Sequence, residues 1–306
     1  MRARLIEDGG AFAAEPGSFF RSPDFLEAEK VTHTVEIGGL RLPAIVREIE
    51  ADGRLDAISP YGYPGGSGLQ GPPLDPGAVD WSETGLVSFF VRDRIGEDSC
   101  FAGGTVRNYV HIADGDSGIR KRLREQIRRS ERRGWAVATV RGPEAGRETR
   151  AAFERAYAET MARTGAAERY LYPSEYFSTL LRSECSWLLM ASRDQEPAGG
   201  SAGAIAVASD GFLHYYLGGT ADEALAESPM KNLFAAMIRL GEELGLPVNL
   251  GGGLSPGDSL DEFKRGFSNG EALFRTHELV CDPAAYEKLV ALGGAAPEGF
   301  FPAYRR

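Results

Sequence analysis

Three consecutive glycines, Gly251-Gly252-Gly253, stand between a short apolar stretch, 247–250, and a helix-forming segment ending Phe263-Lys264-Arg265-Gly266-Phe267. Glycine has no Cβ, so a ligand can approach this backbone closely, and the stretch must hold a strand end, a turn and a helix start in quick succession. Ser259 predicts the N-cap, with Asp261 and Glu262 in a first turn where the helix dipole favours them. Lys264 then lies within reach of whatever occupies the glycine mouth formed by Gly252 and Gly253. Phe263 and Phe267 are spaced i, i+4, which sends both rings toward a core. The segment alone leaves two readings open: a lysine facing a ligand, or a capped surface helix with a solvated lysine.

At 306 residues the chain suits two domains of roughly 150 residues each. Its 42% hydrophobic and 25% charged residues are those of an ordinary globular protein, and no apolar run approaches the roughly 18 residues that span a bilayer. The first residues, Met1-Arg2-Ala3-Arg4-Leu5-Ile6-Glu7-Asp8, turn acidic before an apolar stretch develops, which predicts a cytoplasmic protein without a secretory signal. Cys100, Cys185 and Cys281 are odd in number and far apart, a pattern of core residues rather than of disulfides or a metal site. A net charge of -10 argues against a protein that coats long nucleic acid. Eight of the 14 residues from Arg120 to Arg133 are nevertheless Lys or Arg. They predict either a solvated helix or an anion-attracting face carried by Arg128, Arg129, Arg132 and Arg133.

In the first half, strands are expected at 34–37 and 42–49 about a Gly38-Gly39 hairpin, and at 86–92 and 109–112. Between them lies the loop Ser59-Pro60-Tyr61-Gly62-Tyr63-Pro64-Gly65-Gly66, whose composition fits a flexible cover, an aromatic groove wall built on Tyr61 and Tyr63, or an irregular connection packed on the sheet. The second half is more regular. Helices are expected at 149–161 and from Pro173-Ser174, then strands at 187–192, 202–208 and 212–217, the last two joined through Ser209-Asp210-Gly211. A helix follows from a Ser228 cap and Pro229 to Leu244, then strand 248–250, the Lys264 helix, strand 272–281 and a terminal helix. This order matches the acyltransferase fold of the Gcn5-related N-acetyltransferases, a mixed and mostly antiparallel α/β (α+β) arrangement with flanking helices. The first half reads as a weaker copy without a residue-level repeat.

That fold ordinarily holds coenzyme A on a glycine- and arginine-bearing loop before the long helix, where backbone N–H groups cradle the pyrophosphate. Here 220–230 reads Thr-Ala-Asp-Glu-Ala-Leu-Ala-Glu-Ser-Pro-Met, with three acids, no glycine and no arginine. Pro229 also removes one donor. The acyl donor is therefore expected to be something other than coenzyme A, such as an ester on the terminal ribose of a tRNA.

The run His214-Tyr215-Tyr216-Leu217-Gly218-Gly219-Thr220, the helix start Ser228-Pro229-Met230, the glycine-ended strand at 250–253 and Phe263-Lys264 followed by Phe267 together resemble the Fem-type aminoacyl-tRNA-dependent transferases. The likeness covers roughly 105–281, with a weaker echo in the Ser59–Gly66 loop. The resemblance implies two Gcn5-like domains side by side, read here as 1–134 on the acceptor side, 135–282 as the catalytic domain and 283–306 as a segment returning to the first. It implies transfer of an amino acid from aminoacyl-tRNA to an amine, with Lys264 stabilising the oxyanion and Phe263 positioning substrate. An ester is already activated, so a fixed cation suffices where no nucleophile has a sequence signature. Asp258 is the nearest carboxylate to the mouth and is expected to take the amine's proton, to cap the helix or to contact solvent. The resemblance places Arg163, Tyr170 and Tyr176 at the acceptor, to which Tyr61, Tyr63, Tyr215 and Tyr216 are added. His33, His111, His214 and His277 are expected to be structural.

The family's diphosphate-gripping lysine has no clean counterpart, Phe25 and Lys30 being nearest, and the long helical hairpin of larger members is absent from the sequence. The departures point to a peptidyl natural product as acceptor and alanine as the transferred residue, as in small stand-alone transferases of uridyl-peptide antibiotic assembly. Transfer to a peptidoglycan precursor, a coenzyme A-dependent N-acyltransferase and a non-catalytic RNA-binding protein are the alternatives. No cofactor and no metal are expected beyond aminoacyl-tRNA as co-substrate, and a monomer is favoured.

Overall fold

The computed structural model describes every residue except 97–98, 116–117, 194–201, 254, 256, 294–299 and 306. Leu254 and Pro256 of the glycine-rich segment, and part of the expected returning segment 283–306, thus lie outside the described residues. The chain divides into one compact unit of Met1–Asn108 with Leu273–Arg306, and a second of Tyr109–Ala272. The sequence reading put its boundaries at 134/135 and 282/283 instead. The difference arises because the basic helix packs on elements of the second unit, and because the strand after the Lys264 helix pairs with a strand of the first.

The second unit is a sheet with helices on both faces. Its strands are the end of β6 (Thr105–Ala113), β7 (Trp135–Arg141), β8 (Ser186–Arg193), β9 (Ala202–Ser209), β10 (Phe212–Thr220) and β11 (Val248–Asn249), in the order β6-β11-β10-β9-β8-β7. All neighbours run antiparallel except β10 and β11. Strands β8 and β9 read as nearly unbroken apolar runs because both of their faces are covered. On one face, Trp187, Leu189, Ala191, Ala204 and Ala206 meet Leu233, Phe234 and Met237 of α5 (Met230–Leu244). Beside α5 lies the basic helix α2 (Lys121–Glu131), which buries Ile127 and Ser130 and leaves Arg128, Arg129, Arg132 and Arg133 exposed. On the other face lies α3 (Arg147–Thr164), whose Phe153, Ala156 and Tyr157 are buried. Its backbone comes so close to β10 that a Cβ on Gly219 would stand 2.5 Å from the Ala156 carbonyl oxygen. Helix α4 (Ser174–Leu180) follows on that face, packed on α3.

One expected helix start is corrected. Ser228 caps nothing: it takes a left-handed φ of 52° and closes the 3-10 turn Asp222–Glu227, its amide bonded to the Leu225 carbonyl. Pro229 itself is the N-cap residue of α5. The 3-10 turn runs so close to α5 that no extended residue is left to offer its hydroxyl to the first helical amides.

The first unit carries a sheet in the order β1-β2-β3-β4-β5-β12, with β1 (Ala3–Glu7), β2 (His33–Ile37), β3 (Leu40–Glu48), β4 (Leu55–Ile58), β5 (Leu86–Arg92) and β12 (Gly270–Val280). The expected hairpin joins β2 and β3 through Gly38 and Gly39, both at positive φ. Strands β4 and β5 are parallel, but their connection is the Gly- and Tyr-rich loop rather than a long helix. That loop is anchored. Arg92 donates to the Ser59 carbonyl at 2.6 Å, Arg21 to that of Pro64 and Arg94 to that of Gly66, while Tyr63 packs edge-on to Phe20 and Phe274. Phe25, of α1 (Pro23–Ala28), is a core ring against Phe19 and Phe20, and Lys30 is the exposed left-handed residue just after α1.

Helix α7 (Pro283–Gly293) packs on β5, and the chain end then returns to β4. There the fully buried Asp56 accepts from Arg47 Nε at 2.9 Å, Arg305 Nε at 2.5 Å and the Tyr304 hydroxyl at 3.2 Å.

Candidate active site around Lys264

Strands β10 and β11 pair at only two positions, Leu213 with Val248 and His214 with Asn249. After Asn249 the chain turns away at Gly251, whose φ of +75° suits glycine, while β10 continues to Thr220 through a bulge between Tyr215 and Leu217. The two strands therefore part, and the glycine segment lines the fork. A buried relay fixes this turn. His214 Nε2 donates to the Ser209 carbonyl at 3.1 Å, its Nδ1 faces the Asn249 amide nitrogen at 3.0 Å, and Asn249 Oδ1 accepts the Gly251 amide at 2.8 Å. Burial pushes His214 down to about 4, so at neutral pH its uncharged ring can accept the Asn249 amide. The His111 amide holds the Gly251 carbonyl at 3.1 Å from β6.

Helix α6 (Ser259–Arg265) rises beside this turn. Its N-cap is Asp258, for which capping was one of the open roles, and not Ser259: the Asp258 carboxylate accepts the Asp261 amide at 2.8 Å and the Ser255 amide at 2.9 Å. A carboxylate spans two amides where a single hydroxyl would not, which decides the start of the helix. A Cβ on Gly253 would stand 2.5 Å from Asp258 Oδ1, so glycine is required there by close approach.

Lys264 is 6% exposed. Its Nζ donates to the Gly252 carbonyl at 2.7 Å and stands 5.4 Å from the centre of the Tyr215 ring. An ammonium has three donors, and among the described residues Gly252 is the one hydrogen-bond acceptor on it, which leaves donors for an incoming oxygen. Burial pulls Lys264 down from 10.5 to about 8, against the attraction of Asp258 and then Asp261. Of the two readings of this segment, a solvated surface lysine is thereby set aside.

The other residues singled out from the sequence divide among several places. Phe263 packs on Phe234 and Phe267 at 5.2 Å each and supports the helix that carries Lys264. Tyr215 lies on the α5 face, 5.0 Å from Phe234. Tyr216, its neighbour, points to the opposite face, where its hydroxyl meets that of Tyr176 at 2.7 Å and Tyr176 stacks on Tyr172 at 3.9 Å. The pleat thus separates two tyrosines that the sequence reading grouped. Tyr170 offers its carbonyl to the Tyr157 hydroxyl at 2.9 Å. Arg163 pairs with Asp222 and donates to the Thr220 carbonyl at 3.2 Å, so it ties the 3-10 turn to α3. On the α3 and α4 side a cavity of about 720 Å³ opens, lined by Tyr157, Met161, Leu171, Tyr172 and Phe177 among others. Tyr61 and Tyr63 belong to the other compact unit, Tyr61 exposed and Tyr63 packed as described above. Arg133 of α2 pairs with Glu227 at 3.2 Å.

Sequence reasoning missed Asp261 and His111 as members of the site. His111 Nε2 donates to Asp261 Oδ1 at 2.8 Å, and Asp261 Oδ2 accepts from Arg265 at 2.5 Å and from the Gly257 amide at 3.2 Å. The His111 bond above all holds the Asp261 carboxyl below its usual range. The one sequence signal was the i, i+3 spacing of Asp261 and Lys264.

The first unit contains a second histidine–carboxylate pair with a serine. Ser99 Oγ and Asp93 Oδ2 both contact the same nitrogen of His277, at 2.7 and 2.9 Å, and Ser99 Oγ lies 2.6 Å from Asp93. A nucleophile needs base and carboxylate on opposite ring nitrogens, so this cluster braces the fold and does not activate the serine. Among the described residues no three His, Cys, Asp or Glu side chains gather to hold a metal ion, and no helix is long and apolar enough to cross a membrane.

Residues 117–265 match the family model for an acetyltransferase (GNAT) domain, which is the span that carries α2, strands β7 to β11 and Lys264. The whole chain is similar in fold to FemX, with a TM-score of 0.60 at 12% identity over 93% of this chain and 99% of that one. L-PGS from Bacillus licheniformis gives 0.55 at 14% identity over 83% and 85%. The C-terminal domain (DUF2156) of a lysylphosphatidylglycerol synthetase, so described provisionally, from Agrobacterium fabrum gives 0.56 at 13% identity over 90% of each chain. At these identities the likeness is one of fold, and the resemblance to Fem-type enzymes drawn from the sequence is met again at that level. No curated protein sequence matches the chain.

Proposed function

We propose that this protein is an aminoacyltransferase that moves an amino acid from aminoacyl-tRNA to a free amine of a peptide acceptor, forming a peptide bond without a cofactor. The observation that carries the reading is Lys264, a buried ammonium bonded to one carbonyl of the glycine turn at the fork of β10 and β11. An ester carbonyl placed there gains negative charge on its oxygen as the amine attacks, and a fixed, desolvated cation favours that charge more than it favours the ground state. Such stabilisation supplies about 3 kcal/mol, roughly a hundredfold in rate. Asp258 is engaged as the helix cap, so the amine's proton leaves to water or within the substrates.

The fold likeness to FemX and to the two synthetase-related structures supports aminoacyl transfer as the reaction class. The exposed arginines Arg128, Arg129, Arg132 and Arg133 are the surface for the tRNA acceptor end. Alanine and a peptidyl natural product are the narrower choices for the transferred residue and the acceptor. Its place of action is the cytoplasm, where aminoacyl-tRNA is made.

A coenzyme A-dependent N-acyltransferase is the second reading, favoured by the acetyltransferase family match. Against it stands the 3-10 turn before α5, where Asp222, Glu223 and Glu227 occupy the place of a pyrophosphate cradle. Radiolabelled alanyl-, glycyl- and seryl-tRNA, each offered with peptide amines, distinguish the two. Transfer that survives complete RNase digestion of the donor, or micromolar binding of acetyl coenzyme A in a calorimeter, overturns the first reading.

A further inference from the structure

Resting on the assignment of Lys264 to the reacting carbonyl, we propose that the backbone amide of Gly252 is a second donor to the developing oxyanion. The geometry of one peptide plane carries this. The bond from Gly251 to Gly252 is trans, so the Gly251 carbonyl and the Gly252 N–H point to opposite sides of the chain. The carbonyl points to β6, where the His111 amide holds it at 3.1 Å. The Gly252 N–H therefore points away from β6, to the side on which β10 paired with β11 as far as Asn249. There the strands have parted, and among the described residues nothing accepts this N–H.

The amide and the lysine share one place. Lys264 Nζ donates to the carbonyl of the same glycine at 2.7 Å, and a Cβ on Gly251 would stand 3.0 Å from Nζ, so the ammonium lies directly against this turn. The turn itself is pinned. The Gly251 amide is spent on Asn249 Oδ1 at 2.8 Å, and Asn249 is fully buried with its own amide 3.0 Å from His214 Nδ1. A donor that is fixed and unused before the reaction costs no reorganisation when charge develops. As the amine attacks, the C–N bond forms and the C=O electron pair moves onto the oxygen between Nζ and the Gly252 N–H. The pair returns as the ester C–O bond breaks, and the amine's proton ends on the departing ribose oxygen or in water.

The test uses full-length protein labelled with 15N-glycine, the Gly252 resonance being assigned by its loss in Gly252→Ala. Two tetrahedral anions stand for the oxyanion: methyl 1-aminoethylphosphonate, and the ester of the same phosphonate with the 3′-hydroxyl of adenosine. Saturation with the adenosine ester is expected to move the Gly252 amide proton downfield and to leave that of Gly251, already bonded to Asn249, in place. An unmoved Gly252 proton in the saturated protein, or no binding of either phosphonate at millimolar concentration, overturns the proposal. The donor reading fails differently: equal affinity for the two phosphonates, with the Gly252 shift present in both, removes the tRNA ester and supports the second donor. Single-turnover transfer gives the other arm. Asn249→Ala, which releases the turn, is expected to lower the rate by up to about a hundredfold at unchanged tRNA affinity, while Asn249→Asp keeps an oxygen for the Gly251 amide and restores most of it. Equal rates for wild type and a folded Asn249→Ala count against the proposal.

Discussion

Replacing Lys264 by Met is expected to make the protein more stable at neutral pH while it removes the activity. Burial lowers Lys264 from 10.5 to about 8, a difference of about 2.5 pH units. At roughly 1.4 kcal/mol per unit, keeping the charged form inside the fold costs about 3 kcal/mol. Met fills a similar volume without charge. It also forfeits the bond to the Gly252 carbonyl, worth about 1 kcal/mol, which leaves a net gain of about 2 kcal/mol at pH 7. The sign follows from proton counting. Between about 8 and 10.5 the unfolded chain holds the lysine's proton and the folded chain has released it, so wild-type stability rises with pH across that window. Above it the lysine is neutral in both states and the advantage of Met vanishes. Urea unfolding of both proteins at pH 7 and near pH 11, read as the difference between them so that other titrating groups cancel, measures this. A Lys264→Met protein less stable than wild type at pH 7, or a difference that does not change with pH, refutes the reasoning.

Three other outcomes are expected. Changing Arg128, Arg129, Arg132 and Arg133 together to Gln should weaken tRNA binding and lower the slope of log affinity against log salt by up to about 3, as measured by filter binding across a salt series; an unchanged slope removes α2 as the docking face. Gly219→Ala should destabilise the protein by at least about 2 kcal/mol in urea unfolding, because the new Cβ meets the α3 backbone at Ala156 and Tyr157 rather than a side chain that can move. Arg305→Met should cost about 2 kcal/mol of stability, since Asp56 stays fully buried with Arg47 as its remaining cation; Asp56→Asn combined with it should recover part of that loss.

The regular second half was open to sequence reasoning because its signals are local. Alternating and continuous apolar runs mark β8 to β10, and the i, i+4 spacing of Phe263 and Phe267 does face the core. What escaped was set by long-range contacts. Strand β4 is four residues long and contains an aspartate, which tolerates full burial only because Arg47 and the distant Arg305 reach it. Strand β1, Ala3-Arg4-Leu5-Ile6-Glu7, mixes charged and apolar residues without alternation on a sheet edge and looks like any charged terminus. At the site, the lysine and its glycines were visible as one segment. The carboxylate beside it and the histidine that holds that carboxylate stand 150 positions apart, and nothing in a single sequence joins them. The ion pair of Arg163 was hidden for the same reason, its partner Asp222 being far along the chain in a turn whose acids had been read only as a bar to pyrophosphate.

The most direct test of the account is a single-turnover measurement of aminoacyl transfer from labelled alanyl-tRNA to a peptide amine by wild type and Lys264→Met, with tRNA affinity determined on the same preparations. A fall of about a hundredfold or more in the transfer rate, with tRNA affinity unchanged, is the expected result. Transfer by Lys264→Met at the wild-type rate contradicts the assignment of that ammonium to the reacting carbonyl.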